Sequence, residues 1–308
     1  MGGDEAKKSF INKVKNFDTI TNPPTDHHYI KNKGTTLSQK ILTEWKILST
    51  SLPDSIFVGT YETRIDLMRA AIIGPQDTPY SDGLFFFDIL FPSSYPAQPP
   101  KVFYHSHGLD LNPNLYPSGE VCLSLLNTWG GCENERWNPK QSTMLQVLVS
   151  IQGLVLNAQP YYNEPARWHF FEEGRASKYT EDVFMDTCMA MVYTIRQPPM
   201  QFKEFVAVHF RRQAHPILLN FRERMKNMKN TVSMCKLFLK LAKAFEGNGA
   251  CCDQLLVDEV KKEEEALREK SENNDGFVVK VWNKLKNLLD YFVYEGGEST
   301  ELIDCALI

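Results

Sequence analysis

Cys122 is the residue in this 308-residue chain with surroundings that chemistry would use. It follows Asn112-Pro113-Asn114-Leu115-Tyr116-Pro117-Ser118-Gly119-Glu120-Val121 and precedes Leu123-Ser124. A thiol placed there has two readings. It is a small buried hydrophobe, as free cysteines usually are, or it is a nucleophile. A few per cent of an ordinary thiol is already thiolate at pH 7, so it depends on a general base less than a hydroxyl does. If the sulfur carried an acyl group as a thioester, attack by an amine would develop an oxyanion. A fixed side-chain N–H such as that of Asn114 is worth ~3–4 kcal/mol at that point. Two other chemistries fit less well. His169 or His209 could serve as the base of a cysteine protease, but no protease signature surrounds Cys122. Zinc could bind His105-x-His107 with Cys122 or Cys132, but the Cys122–Cys132 interval suits no common zinc spacing.

The elements that must position this loop are legible as a pattern. Six of the seventeen prolines fall within residues 92–117. Proline fixes φ and donates no backbone hydrogen bond, so the approach to Cys122 is a stiff, irregular path. Before it come four short segments rich in β-branched and aromatic residues, at 56–61, 65–73, 84–91 and 101–105. Turn residues separate them, so they predict an antiparallel meander joined by hairpins. A helix is expected just upstream, where Thr36 and Gln39 form a capping box and Leu37, Ile41, Trp45 and Leu48 share a face. Downstream, Thr143 and Gln146 repeat the capping box ahead of the stripe Met144, Val147, Leu148, Ile151 and Val155. Thr180, followed by Glu181 and Asp182, is read as the start of a further helix with Phe184, Cys188, Met191 and Ile195 on one face. Gln197-Pro198-Pro199 marks a boundary. Helices follow over 200–213, 217–245, 252–270 and 277–293. Residues 1–35, polar and without an apolar period, are expected to be a mobile arm.

Apolar residues make up 43% and charged residues 23% of the chain, which excludes collagen-like and wholly disordered classes. The net charge of −4 offers no reason to expect a nucleic acid, but it is a sum of unlike parts. Residues 1–197 carry −4, residues 198–245 carry +8 and residues 246–308 carry −8. We expect the basic stretch 217–245 to pair within the chain, with the acidic tract Glu263–Glu265. The N-terminus has charges where a signal peptide would be apolar, and Ala6 breaks a myristoylation pattern. The best apolar run, 84–91, is interrupted by Asp88 and is far short of a membrane span. Seven irregularly spaced cysteines without a C-x-x-C pair suit reduced thiols in the cytosol or nucleus. Cys305-Ala306-Leu307-Ile308 has the shape of a prenylation box, but the acidic residues before it argue for an ordinary chain end.

Several blocks in fixed order carry a resemblance. Gly74-Pro75-x-x-Thr78-Pro79-Tyr80-x-x-Gly83-Leu84-Phe85-Phe86-Phe87 is followed by Phe91-Pro92-x-x-Tyr95-Pro96-x-x-Pro99-Pro100-Lys101-Val102. Asn112-Pro113-Asn114, Gly119-x-x-Cys122 and Trp137-x-Pro139 come next. Residues 36–197 thereby resemble the catalytic domain of ubiquitin-conjugating enzymes. Residues 148–154 and Tyr161-Tyr162-Asn163-Glu164-Pro165 are similar to the large hybrid conjugating/ligase members, including the plant phosphate-homeostasis type. The resemblance implies an α+β fold, a four-stranded antiparallel meander flanked by helices, followed here by an all-helical extension over 198–308. It implies that Cys122 forms a glycyl thioester with ubiquitin, that Asn114 stabilises the oxyanion or braces the loop, and that a substrate lysine receives the ubiquitin. The partners implied are ubiquitin, its activating enzyme, protein substrates and, where one is used, a ubiquitin ligase. No cofactor or metal is implied, because the activating enzyme spends the ATP. An inactive, ubiquitin-binding variant of the fold is the alternative. The sequence departs from the family at Asn112, usually His; at Ser124, often Asp; at Ala97, often an aromatic that grips ligases; and at Asn138 and Lys140, commonly small. Trp129–Arg136 lengthens the following loop, and Tyr162 or Asn163 falls near a position that helps desolvate the incoming lysine.

Overall fold

The computed structural model describes residues 15–34, 38–164, 173–227 and 231–270. Thr36, His169, the 277–293 segment and Cys305 lie outside them. Five strands form one sheet in chain order: β1 (Phe17–Ile20), β2 (Ile56–Tyr61), β3 (Leu67–Ile73), β4 (Leu84–Leu90) and β5 (Lys101–Tyr104). β2 to β5 are the expected antiparallel meander. β1 is a correction, because it comes from the segment expected to be a mobile arm and runs parallel to β2, pairing Phe17 with Val58 and Ile20 with Tyr61. Its polar sequence suits a half-exposed edge strand, and Asn16 anchors it by donating to the Pro53 and Ile56 carbonyls at 2.8 and 3.1 Å.

Alternation along the strands assigns their two faces. Val58, Ala70 and Phe87 lie in register on one face. There they meet α1 (Gln39–Ser51) and α2 (Met144–Ser150) in a core that also holds Ile41, Leu48, Val147 and Leu148. Thr143 caps α2 as its sequence predicts, accepting from the Gln146 N–H at 3.3 Å while the Gln146 side chain accepts from the Thr143 N–H. The fully buried Glu44 of α1 ties these parts together. It accepts the Tyr95 hydroxyl at 2.7 Å and the Met144 N–H at 2.9 Å.

Phe57, Ala71 and Phe86 lie in register on the opposite face. The helices beyond residue 172 cover them: α3 (Glu173–Arg196), α4 (Lys203–Asn227), α5 (Val232–Gly247) and α6 (254–270). Phe205 packs 4.4 Å from Phe57 and Phe202 packs 5.7 Å from Phe86. Phe210, Phe221, Phe238 and Phe245 continue the same core. The helices after residue 198 therefore share their hydrophobic core with the sheet. Gly59 lets them approach, since a Cβ there would lie 1.7 Å from the Gln201 side chain, which accepts from the Tyr61 hydroxyl at 2.6 Å.

Helix limits differ from expectation at several places. The helix expected over 217–245 is broken, since α4 ends at Asn227 and α5 begins at Val232 behind an extended Thr231 that caps it. α1 starts at Gln39 behind Ser38, which makes no side-chain cap, instead of behind a Thr36–Gln39 capping box. Thr180 sits inside α3, which starts at Glu173, and its hydroxyl bonds back to the Ala176 carbonyl at 2.9 Å. α4 runs through Pro216. The ring removes one helical hydrogen bond, but Ile217, Leu218 and Phe221 just beyond it are buried and hold the helix on course. The expected pairing of basic and acidic segments is realised between Arg222 and Glu263, 2.5 Å apart.

Two histidines make this packing sensitive to acid. His209 donates from Nε2 to the Asp82 carbonyl at 2.8 Å, and His27 donates from Nε2 to the Met68 carbonyl at 3.0 Å. His27 also accepts the Tyr29 N–H on Nδ1, which requires the neutral ring. Burial is the main reason both pKa values fall below the ordinary 6.5. The unfolded chain then takes up protons that the folded one refuses. Their contribution to stability is complete above about pH 6.5 and is lost as the pH falls below it. We expect the thermal midpoint to fall between about pH 7 and pH 5, and His209→Gln to flatten that dependence. A midpoint independent of pH over that range would contradict this.

Candidate active site

The loop carrying Cys122 is cross-braced to the loop carrying Asn114. The Cys122 N–H donates to the Asn114 carbonyl at 2.8 Å, and Asn114 Nδ2 donates to the Cys122 carbonyl at 2.9 Å. Asn114 is buried, so its amide is fixed by backbone contacts and not by solvent. Asn112 sets the brace from behind. Its Oδ1 accepts the Asn114 N–H at 2.8 Å, and its Nδ2 donates to the Tyr80 hydroxyl and the Val155 carbonyl, each at 2.7 Å. A buried amide with both ends occupied thus holds the position where the family commonly has His.

Gly119 turns the chain into Cys122. Its φ of +91° suits glycine, and a Cβ there would meet the Phe103 ring at 2.2 Å. Its carbonyl accepts the Tyr104 N–H at 2.7 Å, so the turn is laid directly on β5. Cys122 itself is 9% exposed, at the edge of a groove of about 750 Å³. Pro99, Pro100, Lys101, Tyr116, Glu120 and Thr128 are among the lining residues.

Burial, the largest influence, raises the Cys122 thiol above its ordinary pKa, and the carboxylates of Glu120 and Glu164 push in the same direction. The Tyr116 hydroxyl opposes them by favouring the thiolate. The site therefore holds a thiol, a phenol and two carboxylates within electrostatic reach. It suits acyl transfer to sulfur followed by approach of a cationic amine. Glu164 received no role from the sequence, which singled out Tyr162 or Asn163 beside it. Asn163 is spent on structure: it donates to the Val155 carbonyl at 3.0 Å and to Asn112 Oδ1 at 3.3 Å, and accepts from Asn157 at 2.6 Å.

The other candidates are placed elsewhere. His105 Nε2 lies 3.0 Å from Asp88 Oδ2, and His107 Nε2 lies 3.2 Å from the Thr194 hydroxyl. Among the described residues no group of three His, Cys, Asp or Glu side chains could hold a metal ion. His209 belongs to α4 and bonds Asp82. Cys132 is exposed in the lengthened loop, where Glu133–Glu135 form one turn of 3-10 helix. Trp137 anchors the end of that loop through its indole N–H, which donates to the Pro96 carbonyl at 2.7 Å. Ala97, Asn138 and Lys140 are exposed, and Ala97 and Asn138 directly follow the Pro96 and Trp137 that this bond joins.

The family model of ubiquitin-conjugating enzymes matches residues 39–185. The chain is 50% identical over 223 residues to ubiquitin-conjugating enzyme E2 38 of Arabidopsis thaliana, covering 69% of this chain and 68% of that protein. It is 53% identical over 215 residues to ubiquitin-conjugating enzyme E2 25 of the same plant, covering 66% of this chain and 35% of the relative. The human dual E2 ubiquitin-conjugating enzyme/E3 ubiquitin-protein ligase BIRC6 is 43% identical over 189 residues, 56% of this chain and 4% of that protein. No helix among the described residues is long and apolar enough to cross a membrane. With half of the aligned residues identical across two thirds of a relative of that name, this chain belongs to the ubiquitin-conjugating enzyme family.

Proposed function

We propose that Cys122 carries ubiquitin as a thioester between an activating enzyme and a substrate lysine. In the first step the Cys122 thiolate attacks the thioester carbonyl on the activating enzyme. A new S–C bond forms, and the activating enzyme's cysteine leaves as thiolate. In the second step a lysine amine attacks the same carbonyl. The C–N bond forms, the Cys122 thiolate leaves, and the surplus ammonium proton passes to solvent or a nearby carboxylate. No cofactor is needed, since ATP is spent upstream by the activating enzyme.

The observation that carries this reading is the brace between Asn114 and Cys122 at the rim of an open groove. A thiol kept only for packing would need neither. Glu120 and Glu164 supply a negative field that favours an approaching lysine. The exposed Ala97 lacks the aromatic grip common at that position, and Asn138 and Lys140 are polar where small residues are common, which supports transfer with built-in ligase character. The test is charging with ubiquitin, activating enzyme and ATP, which is expected to give a thiol-sensitive adduct. A chain that binds ubiquitin but never charges would overturn the assignment in favour of the inactive variant.

Asn114 has a separable signature. In Asn114→Ala the loop loses its side-chain brace and the developing oxyanion loses a nearby donor. We expect discharge onto lysine to fall about 10²-fold, in the range seen for loss of one fixed donor, while the thioester still forms. Single-turnover discharge measures this, and unchanged discharge would remove Asn114 from the mechanism.

A further inference from the structure

Tyr29 lies ahead of the residues 39–185 that match the family, yet it lines the groove beside Cys122. Its placement is enforced from several sides. The Tyr29 N–H donates to His27 Nδ1 at 3.2 Å, and the next carbonyl, of Ile30, accepts from Arg64 at 3.2 Å. The His28 N–H donates to Asp88 Oδ2 at 2.7 Å, and Asp26 pairs with Arg69 at 2.9 Å. Both anchors rise from the sheet, so the segment between β1 and α1 is latched to β3 and β4. The His28 ring stacks on Phe103, with centroids 3.6 Å apart and planes within 7°, and Tyr29 meets His28 edge-on at 4.7 Å. The same Phe103 ring abuts Gly119, the turn before Cys122. A continuous stack thus joins Tyr29 to the loop that carries the thiol.

A half-buried aromatic ring held this firmly loses little entropy when a ligand packs on it. Which polypeptide enters the groove follows from charge. Glu120 lines the groove, and its carboxylate and that of Glu164 both act on the thiol and favour a lysine ammonium. Pro99, Pro100 and Lys101 line the same groove, as contact surface for the chain on either side of that lysine.

We propose that Tyr29 binds the polypeptide bearing the acceptor lysine, packing its ring against the residues flanking the lysine that attacks the Cys122 thioester. This rests on the function proposed above, and it assigns acceptor recognition to a segment outside the family's matched region.

The test uses the full chain, charged on Cys122 and chased in single turnover with two acceptors. One is free lysine, which has no flanking residues to pack. The other is a heptapeptide with a central lysine among glycine and serine. In Tyr29→Ala the ratio of peptide to free-lysine discharge rates is expected to fall about tenfold, the scale of one aromatic packing contact. Tyr29→Phe, which keeps the ring, is expected to restore it. Asp26→Asn, which loosens the latch at Arg69, is expected to shift the ratio in the same direction by less. An unchanged ratio in Tyr29→Ala, or equal slowing with both acceptors, would overturn the inference alone. A wild-type chain that never charges would overturn the proposed function and the inference with it.

Discussion

Replacing Cys122 with alanine is expected to reduce ubiquitin charging to background, and replacing it with serine to trap ubiquitin as an adduct that thiols do not cleave. The reasoning is chemical. A thiolate is a far better leaving group than an alkoxide, so the acyl group on sulfur is mobile, whereas an oxyester on the hydroxyl of the Cys122→Ser variant would persist. Neighbouring thiols offer no substitute. Cys132 is exposed on the lengthened loop and lacks the brace that fixes Cys122, so Cys132→Ser is expected to charge normally. Cys188 and Cys235 are buried in the helical core, away from any acyl donor. Gel mobility with and without reducing agent distinguishes these outcomes. A thiol-sensitive adduct that persisted in Cys122→Ala would place the acyl site elsewhere.

The second large effect is on stability. Arg69 and Asp88 face each other across β3 and β4, fully buried, with Arg69 donating from Nε and Nη2 to the two carboxylate oxygens. Asp26 takes a further guanidinium proton at 2.9 Å. Burial alone opposes ionisation of Asp88, but hydrogen bonds and charge from His105 and Arg69 outweigh it and hold the carboxyl well below the usual carboxylate range. Asp88→Ala would leave a buried guanidinium with a single, partly exposed partner. Such a change costs about 3–5 kcal/mol. For a domain of this size that lowers the thermal midpoint by roughly 10 °C. Replacing both partners, Arg69→Met with Asp88→Leu, is expected to cost less than Asp88→Ala, because no charge is left stranded. Thermal denaturation of the two variants decides this, and a double variant less stable than Asp88→Ala would refute the argument.

This ion pair also shows where reading the sequence stopped. Asp88 stood out only as an interruption in the apolar run from Leu84 to Phe91. Its partner lies 19 residues away on the adjacent strand, and no local pattern links Arg69 to it. The same holds for the N-terminal segment. Composition made residues 1–35 look like an arm, because their anchors are single polar contacts to distant residues and not an apolar period. Likewise, β2 and β4 are buried along their whole length for a reason invisible locally: both sheet faces are covered, one by α1 and α2 and the other by α3 to α6.

What the sequence determined by itself was therefore local. The positions of β2 to β5 and of α2 followed from side-chain period, the cap of α2 from Thr143 and Gln146, and the family and candidate nucleophile from motifs whose spacing is short enough to read along the chain. Tertiary structure decided which surfaces meet. It laid the helical extension on the back of the sheet, occupied both ends of Asn112, brought Glu164 within reach of the thiol, and set Tyr29 in the groove. The physical reason is that covalent spacing constrains neighbours within a few residues, whereas burial and ion pairing select partners by the geometry of the whole fold.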